Sequence, residues 1–518
     1  MTRLFSSGRR FVGLIRERPG CAVLFLAAVH LVLWTLLPSL LLTAAPLDVV
    51  EGYLWGHEWQ WGYHKHPPLA PFLLEVFWHL GGGPWTAYLL GQLCVVVTFW
   101  AVWSLARPMV GGPAAALSVL ALELNFYFTA PTLEFNPNVL QMPLWGLAIL
   151  HFHRALITGR WRFYLLLGLW MGLLVYAKYS AVILALAFAV IVLATDRGRD
   201  ALKTPKLYAA ALFALALAAP HFLWIVESDY LPFSYALTQK TATALASRLY
   251  FPANFLAAQI ACHAALLLVA GFLWFGNRRG AESCPEIPVR TSGVFDRNFV
   301  FLAALAPLVL SLILCFALGI EFLTMWGMPM FNLSGLALVM LARGSFRLWN
   351  GARLATAYLV FAIGLPVVLT FGLVATPPLT GRANRTMWPA AAHAALVTEQ
   401  WQKQTGSPLA AVVGDIWAAG LVGLYGADRP SVLIEGDFRR SPWIDPESLK
   451  QTGFALVWRA RGGAIEPPGW IREAFPDRRD LGLFDLPAYS APFVGRSPDP
   501  YAQIGIAIVA PDAEKTSK

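Results

Sequence analysis

Charge is scarce in this chain. Only 13% of its 518 residues are Asp, Glu, Lys or Arg, about half the share usual in soluble domains. That excludes the string of soluble domains that length alone would have allowed. Cysteines are few too. Cys21, Cys94, Cys262 and Cys315 lie in apolar segments, Cys284 lies in a basic loop, and no pair has metal-ligand spacing. Neither a disulfide framework nor a cysteine-bound zinc is expected. GxGxxG and P-loop motifs are missing as well, so no nucleotide cofactor is expected. The net charge of +9 resides mostly in short loops between apolar runs, which fits membrane orientation and not nucleic-acid binding.

Hydrophobic residues are abundant, at 57% of the chain. A helix needs about 20 residues to cross a bilayer. The apolar runs predict spans at 21–43, 84–106, 113–130, 138–156, 162–177, 179–195, 207–226, 252–275, 299–320, 327–342 and 355–375. The fifth and sixth come from one stretch, divided at Lys178-Tyr179 because a charge inside hydrocarbon is costly. Residues 1–20 form a basic segment, and the run after it is too long for a signal-peptide core, so it reads as a retained first span. Twenty Lys and Arg fall in one set of loops, against Lys65, Lys178, Lys240 and Arg248 in the alternate set. The N-terminus is therefore expected in the cytoplasm, and eleven spans carry the C-terminus to the opposite face.

From about Thr376 the pattern changes. Pro, Gly and charges of both signs rise, and the apolar runs shorten. Runs at 410–415, 431–434 and 454–458 read as buried strands, with helical patterns at 388–404, 416–425 and 445–452. This predicts a small α/β domain over 376–518. The fold class is thus a multi-pass α-helical membrane protein, with a membrane domain over 21–375 and a soluble C-terminal α/β domain.

The loop at 44–83 is too apolar for an ordinary solvated connection. Its helical reading is amphipathic, with Trp55, Trp59 and Trp61 suited to a membrane interface. Asp48, Glu51 and Glu58 fall within about 80° of each other on such a helix. A carboxylate cluster facing a cavity serves as a general base or binds a cation; the plainer alternative is a polar helix face at the membrane surface. His64-Lys65-His66-Pro67-Pro68 places two imidazoles and an ammonium in a confined turn, suited to a phosphate, a carboxylate, a metal ion or lipid headgroups.

Further candidates follow. The second outer loop holds Glu134, Asn136 and Asn138 in a turn. Lys178 stands beside Tyr179 at a hairpin end, where an ionisable group is functional by default and an anion is its natural partner. His221 follows Pro220, and Glu321 and Trp326 occupy the next outer turn. All map to one membrane face. Acids, bases and cations on one side suit transfer from a phosphate-linked lipid donor.

At these residues the sequence resembles a known group. LDVVEGYLWGHEWQWGYHKHPPL resembles the first-loop signature of GT-C membrane glycosyltransferases, in the bacterial branch related to protein mannosyltransferases and the lipid A aminoarabinose transferase. KHPPL followed by FNPNVLQMPLW, AKYSA, PHFLW and TMWGMPMF is similar to the lipopolysaccharide-core galacturonosyltransferases. The likeness covers roughly 20–375.

The resemblance implies a polyprenyl-phosphate-sugar donor and a glycolipid or glycan acceptor at the outer face of a bacterial inner membrane. It also implies inverting transfer, with a first-loop carboxylate, Asp48 or Glu51, as base. The family's adjacent Asp-Glu pair is here Asp48-Val49-Val50-Glu51, and Lys65 replaces an acidic residue used for metal binding. Lys65, His66, Lys178 and Tyr179 are therefore read as binding the donor phosphate. His64, Glu58, Glu134, Asn136, Asn138, His221, Glu321 and Trp326 are read as lining the cavity. A divalent cation stays open, with His221 as a weak ligand candidate. Protein O-glycosylation by the same fold, or lipid or solute transport, are the alternatives; transport would call for mid-membrane polar groups and inverted repeats.

Overall fold

The computed structural model describes residues 2–237, 241–278, 286–341, 345–347, 351–380, 384–460, 466–487, 489–491, 495–497 and 503–511. Lys240, Arg279, Cys284 and Arg343, which bear on the charge and cysteine patterns, lie outside them. The chain divides into two compact units, Met1–Thr35 with Leu89–Pro366, and Leu36–Tyr88 with Val367–Lys518.

The first unit is helical. Every predicted apolar stretch carries a helix or a bent helix pair. Among the described residues, five helices are long and apolar enough to cross a membrane, or up to nine if each bent pair is one span. The division at Lys178 appears where charge placed it: one helix ends at Ala177 and the next begins at Ala181. A second break bends Gly112–Leu124 against Phe126–Leu133 by 88°. It carries buried Glu123, which His30 Nδ1 meets at 2.9 Å, while His30 Nε2 lies 2.8 Å from Gln92 Oε1. Such pairing offsets the cost of a carboxyl group buried among apolar helices. The basic start of the chain is a helix, Thr2–Glu17, that buries Phe11, Val12 and Ile15 and exposes Arg9, Arg10 and Arg16.

The second unit contains a five-stranded sheet. Its strands are β1 (Ala411–Gly414), β2 (Ser431–Ile434), β3 (Phe454–Arg459), β4 (Arg479–Asp485) and β5 (Gln503–Val509), in spatial order β2-β1-β3-β5-β4. β1 runs parallel to β2 and β3, while β5 is antiparallel to β3 and β4. The three parallel strands are nearly wholly buried, which is why their sequences are continuous apolar runs. The crossover helix Ala418–Tyr425 joins β1 to β2.

The 44–83 loop belongs to this second unit. It forms two helices, Leu47–His57 and Leu69–Gly81. Their close approach depends on glycine: a Cβ at Gly56 would meet Pro71 O at 2.4 Å, and one at Gly52 would meet Leu74 Cδ1 at 2.5 Å. Gly420 and Gly423 of the crossover helix likewise admit Val50 and Leu54. The Leu47–His57 helix is therefore buried along most of its length, and its place follows from packing more than from helix propensity.

Candidate functional site

Asp48 lies in the first turn of the Leu47–His57 helix, where the helix dipole favours a negative side chain. Glu51 follows one turn later and is 5% exposed. The chain then reverses. Tyr63 stacks on Trp55 with ring centroids 5.1 Å apart, and its amide donates to His66 O at 3.0 Å. This turn returns Lys65 to the helix, where Nζ donates to Glu51 Oε1 at 2.7 Å. Burial pushes the Glu51 carboxyl up to about 7; Lys65 and Arg440 pull it down and the neighbouring charge of Asp48 adds to the rise. The structure thus brings Asp48, Glu51 and Lys65 together.

Three expectations for this loop change. The helix stops at His57, and Glu58 is its C-cap, with its backbone still helical at φ −91° and ψ −5°. The Glu58 carboxyl bonds Ser431 and lies near His57, Glu75 and Arg429, and burial raises its pKa. Trp55 is not an interface residue: its stacking on Tyr63 carries it inside, at 2% exposed, while Trp59 and Trp61 stay outside against Phe72. Burial disfavours a charged His64 ring. It is buried, and burial, Arg440 and Lys65 push its pKa down to about 3. His66 is half-buried with its ring edge-on to Trp55.

Residues that the sequence did not single out complete this side. Ile434 ends β2, and the loop after it is held by Asp437 Oδ1, which accepts the amides of Arg439 and Arg440 at 2.8 and 3.3 Å. This loop presents Arg440, paired with Glu435, and Trp443, whose ring lies 6.2 Å from that of Tyr63. No local motif marks them, because Glu51 and Tyr63, whose surroundings they shape, are in the first loop.

The first unit gathers a second group. Asn136 caps the Pro137–Thr158 helix by accepting the amides of Asn138 and Val139. Lys178 Nζ donates to Asn138 Oδ1 at 2.5 Å and lies 5.1 Å from the centre of the Trp326 ring. The adjacent Tyr179 hydroxyl lies 3.2 Å from His221 Nε2, and the rings of Tyr176 and Trp224 also pack on His221. This aromatic setting suits orientation of a hydroxyl more than ion binding. Glu134 and Glu321 are half-buried in the turns before the Pro137–Thr158 and Thr324–Phe331 helices. Among the described residues, no group of three or more His, Cys, Asp or Glu has metal-binding geometry.

Tyr179 also lines an apolar cavity of about 670 Å³ in the first unit, walled by residues such as Met171, Val175, Phe188, Ala214 and Phe222. Tyr179 supplies the one hydroxyl among the lining side chains.

Residues 65–224 match the family described as dolichyl-phosphate-mannose-protein mannosyltransferase. The lipopolysaccharide core galacturonosyltransferase RgtB of Rhizobium johnstonii is 25% identical over 465 residues, which cover 85% of this chain and 89% of that protein. ArnT from Cupriavidus metallidurans, in a structure bound to undecaprenyl phosphate, superposes with a TM-score of 0.57 at 15% identity, over 94% of this chain and 97% of that one. The apo form of ArnT gives a TM-score of 0.58 at 15% identity, over 94% and 98%. The ArnT likeness shows a common fold along nearly the whole chain.

Proposed function

We propose that this chain, a membrane glycosyltransferase of the GT-C type, moves a sugar from a polyprenyl-phosphate carrier to a hydroxyl of an envelope glycolipid, with inversion. It would work at the periplasmic face of a bacterial inner membrane, with the N-terminus in the cytoplasm and the C-terminal α/β domain in the periplasm. The observation that carries this reading is the Asp48–Glu51–Lys65 arrangement, two carboxylates with a lysine on one of them.

Asp48 is the proposed base. It is half-buried and so open to an acceptor, whereas Glu51 is buried against Lys65. Asp48 takes the acceptor proton as the acceptor oxygen attacks the anomeric carbon. The bond from that carbon to the phosphate oxygen breaks, and polyprenyl phosphate leaves. A carboxylate suffices for the proton, and cations balance the charge that grows on the leaving phosphate. Lys178 and Tyr179 are the proposed phosphate contacts. The apolar cavity that Tyr179 lines supports a place for the apolar tail.

RgtB is named for galacturonate and lipopolysaccharide core, and we take a uronic sugar and a core acceptor as the first pair to test. The decisive measurement is mass spectrometry of envelope glycolipids with and without the gene. Loss of one sugar residue is expected; an unchanged glycolipid profile with altered glycoproteins would move the acceptor to protein, as the mannosyltransferase family's description would have it.

A pH dependence follows. As pH falls through about 7, Glu51 takes a proton and its ion pair with Lys65 loses charge. Turnover is expected to fall across that interval and to lose this limb in Glu51→Gln. An identical profile in wild type and Glu51→Gln would remove Glu51 from the active arrangement.

A further inference from the structure

We propose that Arg429 and Glu75 form a positioning clamp that holds the Leu47–His57 helix, and with it Asp48 and Glu51, in working register. The inference rests on the base assignment above and adds what places that base. Glu75 lies in the Leu69–Gly81 helix and is 1% exposed. Both of its oxygens accept from the Arg429 guanidinium, at 2.9 Å each. The same guanidinium lies 4.3 Å from the centre of the Trp78 ring. His57 Nδ1 and His79 Nε2 approach Glu75 Oε1 at 3.7 and 3.2 Å.

Three features point to placement. The partners are 354 positions apart in sequence, so the pair ties the first loop to the C-terminal segment. Arg429 adopts φ +45°, a backbone conformation costly for a residue with a side chain, and such strain persists where the surroundings over-determine it. Glu75 also lies directly beneath the last turn of the Leu47–His57 helix: a Cβ on Gly56 would come within 3.0 Å of Glu75 Cβ. A buried ion pair is weak evidence for stability, since apolar residues of similar shape often stabilise as well or better. Its two-pronged geometry does fix orientation. Burial opposes ionisation of Glu75, but the nearby His57 ring and the bonds from Arg429 outweigh it and hold the carboxyl down at about 2, so the clamp stays charged through the neutral range.

The test uses the full chain in lipid nanodiscs, with a synthetic polyprenyl-phosphate galacturonate and rough lipopolysaccharide as probes. Arg429→Ala and Glu75→Ala are each expected to lower kcat by about 10- to 100-fold, the range for small misplacement of reacting groups, with donor KM within about twofold. The double variant should be no worse than the poorer single one, as for partners acting as a unit. Arg429→Lys, which keeps the charge and loses the fork, should fall between and guards against misfolding of the alanine variants. Amide exchange in residues 47–81 should quicken in Arg429→Ala while β1, β3 and β5 stay protected; this readout needs no substrate. Unchanged exchange there overturns the clamp. So does a lower melting temperature with unchanged kcat, or a raised KM with unchanged kcat. Loosened exchange together with full turnover in Asp48→Asn and Glu51→Gln would instead sink the base assignment alone.

Discussion

Asparagine at position 48 is expected to reduce sugar transfer by about 10²- to 10⁴-fold, the range for loss of a positioned general base, while the protein still folds. The reason for expecting folding is local. Asp48 is half-buried in the first turn of its helix, and an amide of the same shape keeps the packing while giving up, among its charge interactions, that with the helix dipole, about 0.3–1 kcal/mol. Glu51→Gln is the paired control. It removes the charge that Lys65 meets at 2.7 Å but leaves Asp48 in place, so a smaller loss of about tenfold is expected, within what a single charged hydrogen bond contributes. Melting temperature and turnover should be measured on the same purified sample. If the two losses are interchanged, Glu51 is the base; full activity in both variants would sink the mechanism.

The parts of this molecule that were legible from sequence are those fixed by local physics. A helix must be apolar for about 20 residues to cross hydrocarbon, and every apolar stretch so predicted holds helix. Lys178 interrupted such a stretch, and the helices do break around it, between Ala177 and Ala181. The parallel strands were visible because burial on both faces makes them continuously apolar. β4 and β5 were missed. β4 is largely exposed or half-buried, so no apolar run announces it, and β5 pairs with β3 only across a long separation.

The candidate site was legible residue by residue but not in its groupings. Periodicity extended the first loop helix through Glu58, whereas the chain leaves the helix at His57 and carries Glu58 to Ser431. Three tryptophans looked alike, yet Trp55 is drawn inside by Tyr63. Glu75 and Arg429 gave no sequence signal, because a side-chain pair between distant segments has no period and no motif.

Lys178→Met should have the other large effect, a fall in kcat of about 10²- to 10³-fold, typical for removal of one preorganised group that stabilises developing charge. The proposed donor is a phosphodiester with one negative charge, and its leaving group would be a phosphate monoester with nearly two. A cation beside that phosphate therefore binds the departing group more strongly than the bound donor, so its loss should appear in kcat more than in KM. The setting of Lys178 suits this role. It is 9% exposed, and Asn138 and Trp326 hold its ammonium in place, with no reorganisation needed as charge develops. Asn138→Ala should cost less, since the ammonium remains and only its orientation loosens. Lys178→Arg should restore part of the rate, because it keeps the charge on a wider, planar group. A rise in donor KM with unchanged kcat would limit Lys178 to ground-state binding, and wild-type values of both would remove it from the phosphate site.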